Sequence, residues 1–148
     1  MFEIELKNPD EMSIKVKDRT ININVAQSTI SAGLAVGTIS GAGEFEIGEA
    51  MITAAATEGS VMYRIEIGGI AIGIVGANVK VEDLDELGPI DILGTSDTKV
   101  VGVIEPKIVI PMSTMDFSEL KASVKVEKKL KVKNASSLPP STEIYKLD

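Results

Sequence analysis

The chain has 148 residues, a formal charge of −7, 44% hydrophobic and 25% charged residues, and neither His nor Cys. That balance describes one ordinary globular domain, residues 1–148, able to bury roughly two thirds of its unfolded surface, and it argues against disorder. It excludes disulfides, thiolate nucleophiles, zinc–thiolate sites and every mechanism that needs an imidazole. An acidic chain with 3% aromatic residues also lacks the cations and stacking rings of a nucleic-acid binder. No signal-peptide pattern and no run of ~20 apolar residues is present, so the expectation is no membrane partner and a cytoplasmic location.

In chain order, Phe2 to Leu6 alternates as a strand and Asn8-Pro9-Asp10 turns it. Met12, Ile14 and Val16 share a face opposite Lys15 and Lys17, and a tight turn at Asp18-Arg19 leads into Thr20 to Val25, completing a hairpin. Ala26 to Gly43 is small and polar, with one short strand predicted over Leu34 to Ile39. "GAGEFEIG" satisfies neither a Walker pattern nor a dinucleotide fingerprint and reads as a turn into a strand. Ala50 to Thr57 and Val61 to Ile67 form a second hairpin around Glu58-Gly59-Ser60. Ile70 to Val75 is apolar throughout, the pattern of a strand covered on both faces.

A short helix over Glu82 to Leu87 ends at Gly88-Pro89, and its acidic cluster lacks the loop pattern of a calcium site. Ile90 to Leu93 is a buried strand, and Ser96 or Asp97 can cap a helix over Lys99 to Ile104. Lys107 to Ile110 is a buried strand stopped by Pro111, and Asp116 to Ala122 is expected to be helical. Val124, Val126, Leu130 and Val132 are placed on the inner side of an edge strand whose lysines face water. Thr142 to Leu147 closes the sheet.

"ISGAGEFEIGEAMIT", "MYRIEIGGIAIGIVGAN", "LDELGPIDIL", "IEPKIVIPM" and "SSLPPSTEIYKL" follow one another in an order that resembles the metallo-β-lactamase-like superfamily, in particular its small zinc-dependent hydrolase-like branch. The resemblance implies a β-rich α/β fold, a sandwich of two sheets with short flanking helices. It also implies a metal site, and there the chain departs from the pattern. Where the family carries a His-x-His-x-Asp-His cluster, Ala26 to Val36 has neither His nor Asp. Where the family has Asp after a glycine, Gly76 is followed by Ala77 and Asn78. Where the terminal His is due, the residue is Met112. Without imidazoles and a bridging carboxylate the zinc chemistry has no ligands.

The expectation is therefore a metal-free, non-catalytic binding or assembly module without a cofactor, a homo-oligomer whose emptied pocket is bounded by Ala77, Asn78, Ser96, Asp97 and Met112. Met112 is read as an apolar plug or a filler of a core gap. Two other readings stay open. One is a hydrolase using carboxylates or an oxygen-ligand metal, built on Asp97 with Glu44, Glu46 or Asp116, or a Ser-Lys pair from Ser96 or Ser113 with Lys99. The other is a small-molecule receptor that uses Ala77, Asn78, Ser96 and Met112.

Overall fold

A computed structural model describes residues 1–31, 38–40, 42–57, 60–113 and 115–148, with the backbone alone at 38–40 and 60. Two sheets face each other. The first has six strands, β1 (Phe2–Asn8), β2 (Glu11–Val16), β3 (Arg19–Asn24), β4 (Thr29–Ser31), β5 (Thr38–Ser40) and β13 (Leu130–Val132), in the order β13-β1-β2-β3-β4-β5. The second has eight, β6 (Gly43–Ile47), β7 (Ala50–Thr57), β8 (Ser60–Ile67), β9 (Ile70–Val75), β10 (Ile92–Thr95), β11 (Ile108–Pro111), β12 (Ser123–Glu127) and β14 (Glu143–Leu147), in the order β12-β14-β11-β10-β9-β8-β7-β6.

The first sheet is a meander held by period-two patterning. Ile4 pairs with Ile14 and Ile14 with Ile21, so one face is a row of fully buried aliphatics. Antiparallel hairpins continue through β6-β7-β8-β9, after which the chain changes mode. From β9 onward β9, β10, β11, β14 and β12 are all parallel. Parallel neighbours need crossovers, supplied by a 3₁₀ helix, Val81–Leu87, and by α1 (Thr98–Ile104). These lie on the outer face of the second sheet, where Leu84, Leu87, Val100 and Val101 pack with Val75, Leu93, Val109 and Ile144. The centre of the second sheet is thus covered on both sides, which is why β9 reads as unbroken apolar sequence. Arg64 secures the 3₁₀ helix by donating to the Leu87 and Pro89 carbonyls. At the start of the parallel strands, Asp91 Oδ2 accepts the Ala71 N–H at 2.9 Å and the Asp91 carbonyl accepts from Lys107 and Ile108.

The β-rich two-sheet architecture with short flanking helices agrees with the sequence reading, and Ile70–Val75 has the bounds expected of it. The short helix expected over Glu82 to Leu87 is present as a 3₁₀ helix, Val81–Leu87. Three local readings need correction. The strand placed at Ile90 to Leu93 runs instead over Ile92–Thr95, because Asp91 is spent bridging β9 and β11 and the Ile90 side chain lies over Gly73. Asp116 to Ala122 is not helical: Asp116 Oδ1 accepts the Ser118 N–H, and only isolated turns follow, Leu120 to Phe117 and Ala122 to Leu120. Lastly, the single edge strand expected from Val124 onward is two strands in different sheets. Leu130 and Val132 are buried, whereas Val124 and Val126 of β12 are 47% and 60% exposed. Thr29–Ser31 was not anticipated as a strand, residues 34–37 and 58–59 lie outside the described residues, and 38–39 belong to β5.

Among the described residues, Tyr63 is the one large core side chain whose polar atom is left over. It is 1% exposed, and among the described residues its hydroxyl has no hydrogen-bond partner. Burial raises its pKa to about 12. A tyrosine that ionises later in the folded chain than in the unfolded one weakens the fold as pH rises from about 10 to about 12. Replacing Tyr63 by Phe removes an unpaired hydroxyl worth about 1–3 kcal/mol of desolvation. Tyr63→Phe is expected to hold or gain stability in urea at neutral pH. It should also flatten the alkaline decline relative to wild type, and a marked loss of stability at neutral pH would show that the hydroxyl has a partner.

Candidate functional site

Because β9, β10 and β11 are adjacent and parallel, the loops that follow them leave from one edge of the second sheet. Thr95 pairs with Val75 on one side and Pro111 on the other, so the chain ends meet in register. In parallel sheets this carboxyl edge is where ligands are usually bound. All five sequence-predicted residues stand on these loops: Ala77 and Asn78 after β9, Ser96 and Asp97 after β10, Met112 after β11.

Their environments differ. Ala77 and Asn78 are exposed, with Asn78 in the left-handed region at φ 65°. Ser96 and Asp97 are half-buried. Asp97 caps α1: its Oδ1 accepts the Lys99 N–H at 2.9 Å, while its own N–H donates to Thr95 Oγ1 at 3.2 Å. The carboxylate is thereby held at the helix start. Met112 is 1% exposed and its N–H donates to the Thr95 carbonyl at 2.9 Å. Its side chain turns into the space between the sheets. A Cβ placed on Gly94 would sit 3.0 Å from Met112 Sδ and 2.5 Å from Met12 Cε, which arrives from the facing sheet. Two methionines therefore occupy the room that a side chain at 94 would need.

The loop after β11 is tied across the sandwich. Ser113 N–H donates to the Pro9 carbonyl at 2.6 Å, and Ser113 Oγ donates to Asp10 Oδ1 at 2.9 Å. Sequence reading missed this pair, which is 103 residues apart and has no local pattern. Neither serine has a hydrogen bond to Lys99 among the described residues, so the Ser-Lys pair is not assembled. The proposed carboxylates do not converge either. Glu44 and Glu46 stand on β6, four strand positions from β10, on the order of 19 Å at the usual strand spacing. Asp116 is exposed, and hydrogen bonds from Ser118 hold its carboxyl below the usual range.

No family model and no curated protein matches the chain. A solved structure does. A Thermotoga maritima protein, proposed to be a Zn-dependent hydrolase of the metallo-β-lactamase superfamily, superposes with a TM-score of 0.75 at 14% identity, over 99% of each chain. The fold is that of the metallo-β-lactamase superfamily.

The metallo-β-lactamase fold implies zinc, and the donor set can be tested against it. Zinc takes thiolate, imidazole and carboxylate ligands, usually four in number, three of them from protein in a catalytic site. At the carboxyl edge the carboxylates are dispersed: Asp97 is committed to a helix cap, Asp10 is tied to Ser113, and Asp148 lies at the end of β14, together with an amide, hydroxyls and a buried thioether. Among the described residues no group of three or more His, Cys, Asp or Glu could hold a metal ion. The residues present do not fit a zinc centre.

A cleft of about 320 Å³ does open at this edge, beside β14 rather than β9. Leu6, Met115, Phe117 and Leu147 supply apolar walls, and Asn8, Ser113, Lys146 and Asp148 the polar ones. None of the five predicted residues lines it, and nothing in the period-two patterns marks it, because its walls come from both sheets and a loop.

Met112 as a core filler has a measurable cost. Met112→Ala removes most of a fully buried side chain opposite Gly94, and such truncations cost about 2–5 kcal/mol. Urea denaturation of wild type and variant is expected to show a loss in that range. A loss below about 1 kcal/mol would mean that Met112 does not fill the interior.

Proposed function

We propose that this chain is a non-hydrolytic, metal-free module on the metallo-β-lactamase fold and that it works by associating with copies of itself. The observation that carries the reading is Met112, packed over Gly94 where the fold's terminal zinc ligand is due. A methionine there serves cohesion between the sheets, and a thioether cannot lower the pKa of a bound water as a zinc centre does. The missing imidazoles and thiolates act in the same direction across the entire chain. Self-association is supported by the second sheet, which ends in a strand that is exposed along its whole length.

A second reading follows from the 320 Å³ cleft, whose volume suits a small ligand. Its apolar walls, with one ammonium (Lys146) and one carboxylate (Asp148) in the lining, would favour a small, largely apolar zwitterion. A concentration-dependent rise in melting temperature with hydrophobic amino acids, lost in Lys146→Glu, would support it, and an unchanged melting temperature would remove it.

For the leading reading, elemental analysis of protein purified without chelators is expected to find far less than one zinc per chain. Light scattering across micromolar concentrations is expected to find a mass above that of one chain. Stoichiometric zinc would overturn the metal-free half, and a strict monomer the assembly half.

A further inference from the structure

We infer that β12 is the self-association surface and that two copies join by pairing it antiparallel about a twofold axis through Val126. The inference rests on the reading of the chain as a self-associating module and names the surface, the partner and the register. All five residues of β12 are exposed, and its outer side carries the unpaired backbone groups of a sheet edge. Five consecutive residues, Ser123 to Glu127, pair with β14 without a bulge, and none is proline. Edge strands are usually guarded by such features or by lysines that project past the edge. Here the lysine within the strand is drawn back onto its own sheet. Lys125 Nζ lies 3.0 Å from Glu143 Oε1 and 5.5 Å from the centroid of the Tyr145 ring.

Backbone direction selects what can pair. The Glu127 carbonyl accepts the Asp148 N–H at 2.9 Å, so at Glu127 the backbone points inward, towards the chain's own sheet. Direction alternates along a strand, so Val124 and Val126 present their N–H and C=O groups to the open side. An antiparallel pair must match outward residues with outward residues, and charge then decides among the registers. A twofold axis at Lys125 sets Lys against Lys, one at Glu127 sets Glu against Glu, and one at Val124 sets Lys125 only against Ser123, without an opposite charge within the strand. With the axis at Val126, Lys125 faces Glu127 of the second copy twice over, Val126 faces Val126, and Val124 lies against the stem of Lys128. Like charges directly opposite are destabilising, while opposite charges and β-branched pairs are favourable. "KVE" is its own complement when read backwards against itself.

The other end of the same sheet lacks this property. An axis at Phe45 of β6 would set Glu44 against Glu46 in both directions, two acidic repulsions. The two edges of one sheet therefore differ in sign, and the permissive edge is the one that leaves 47% of Val124 and 60% of Val126 in water. Pairing there would join two eight-stranded sheets into one continuous sheet.

The absence of native cysteine makes the register directly readable. In a hydrogen-bonded antiparallel pair the two Val126 Cα atoms lie about 5.5 Å apart, inside the disulfide window. The two Val124 Cα atoms would be about 13 Å apart or more. Under mild oxidation the full-length Val126→Cys variant is expected to give a covalent dimer and Val124→Cys is not. Val126→Pro, which deletes an outward N–H and leaves the bonds to β14 intact, should raise the dimer dissociation constant about tenfold or more by removing two bonds across the axis. A wild-type dimer that is unmoved by Val126→Pro, or that cross-links equally through Val124→Cys, overturns the β12 interface while self-association stands. A wild type that stays monomeric at high micromolar concentration overturns both.

Discussion

Between the two sheets, the thioether of Met112 and the terminal methyl of Met12 both crowd the position that a Cβ on Gly94 would take, 3.0 Å and 2.5 Å from it. This crowding decides what the carboxyl edge of the second sheet can be. Glycine at 94 allows the two flexible side chains to seat against the backbone of β10, and the methionines in turn keep that spot dry. Protein interiors are packed to crystal-like density, so a filled site of this kind is part of the cohesion of the fold and not a spare cavity.

The remaining geometry follows from strand direction. Antiparallel hairpins carry the chain as far as β9, and the switch to parallel strands then obliges each loop after β9, β10 and β11 to emerge on the same side. Such an edge gathers loop side chains whatever they are. In this chain they are Ala77, Asn78, Ser96, Asp97 and Ser113, of which Asp97 is occupied as a helix cap and Ser113 as a tie to Asp10. The scaffold is shared over 99% of its length with a Thermotoga maritima protein at 14% identity. Fold and function are separable for this reason: the sheets are specified by many aliphatic positions, the site by a few polar ones.

Much of this was legible in the residues themselves, and the illegible parts share a cause. Period-two alternation located the β1-β2-β3 meander, and the unbroken run Ile70–Val75 announced a strand covered on both faces. The burial of Met112 was foreseeable from its place after an apolar strand, and the absence of imidazole and thiolate groups is read directly from the composition. The Asp10–Ser113 tie and the cleft beside β14 were not foreseeable, because they join segments from distant parts of the chain. Alternation showed that Val124 and Val126 share a face but could not show that nothing covers it. Coverage depends on where the facing layers stop, and on the outer face the packed cluster stops at Ile144. The segment after Asp116 failed as a helix for a local reason: the Asp116 side chain turns the backbone at Ser118, and a run this short has little to offset the cost of helix nucleation.

The central claim is that the space over Gly94 and the loops around it cannot hold a transition metal. Anomalous diffraction at the zinc absorption edge, from crystals grown in millimolar zinc, addresses it directly. The account predicts no anomalous peak among the loops bearing Ala77, Asp97 and Met112, with both methionine side chains ordered against Gly94. A zinc peak at coordination distance from side chains on two of those loops would contradict it.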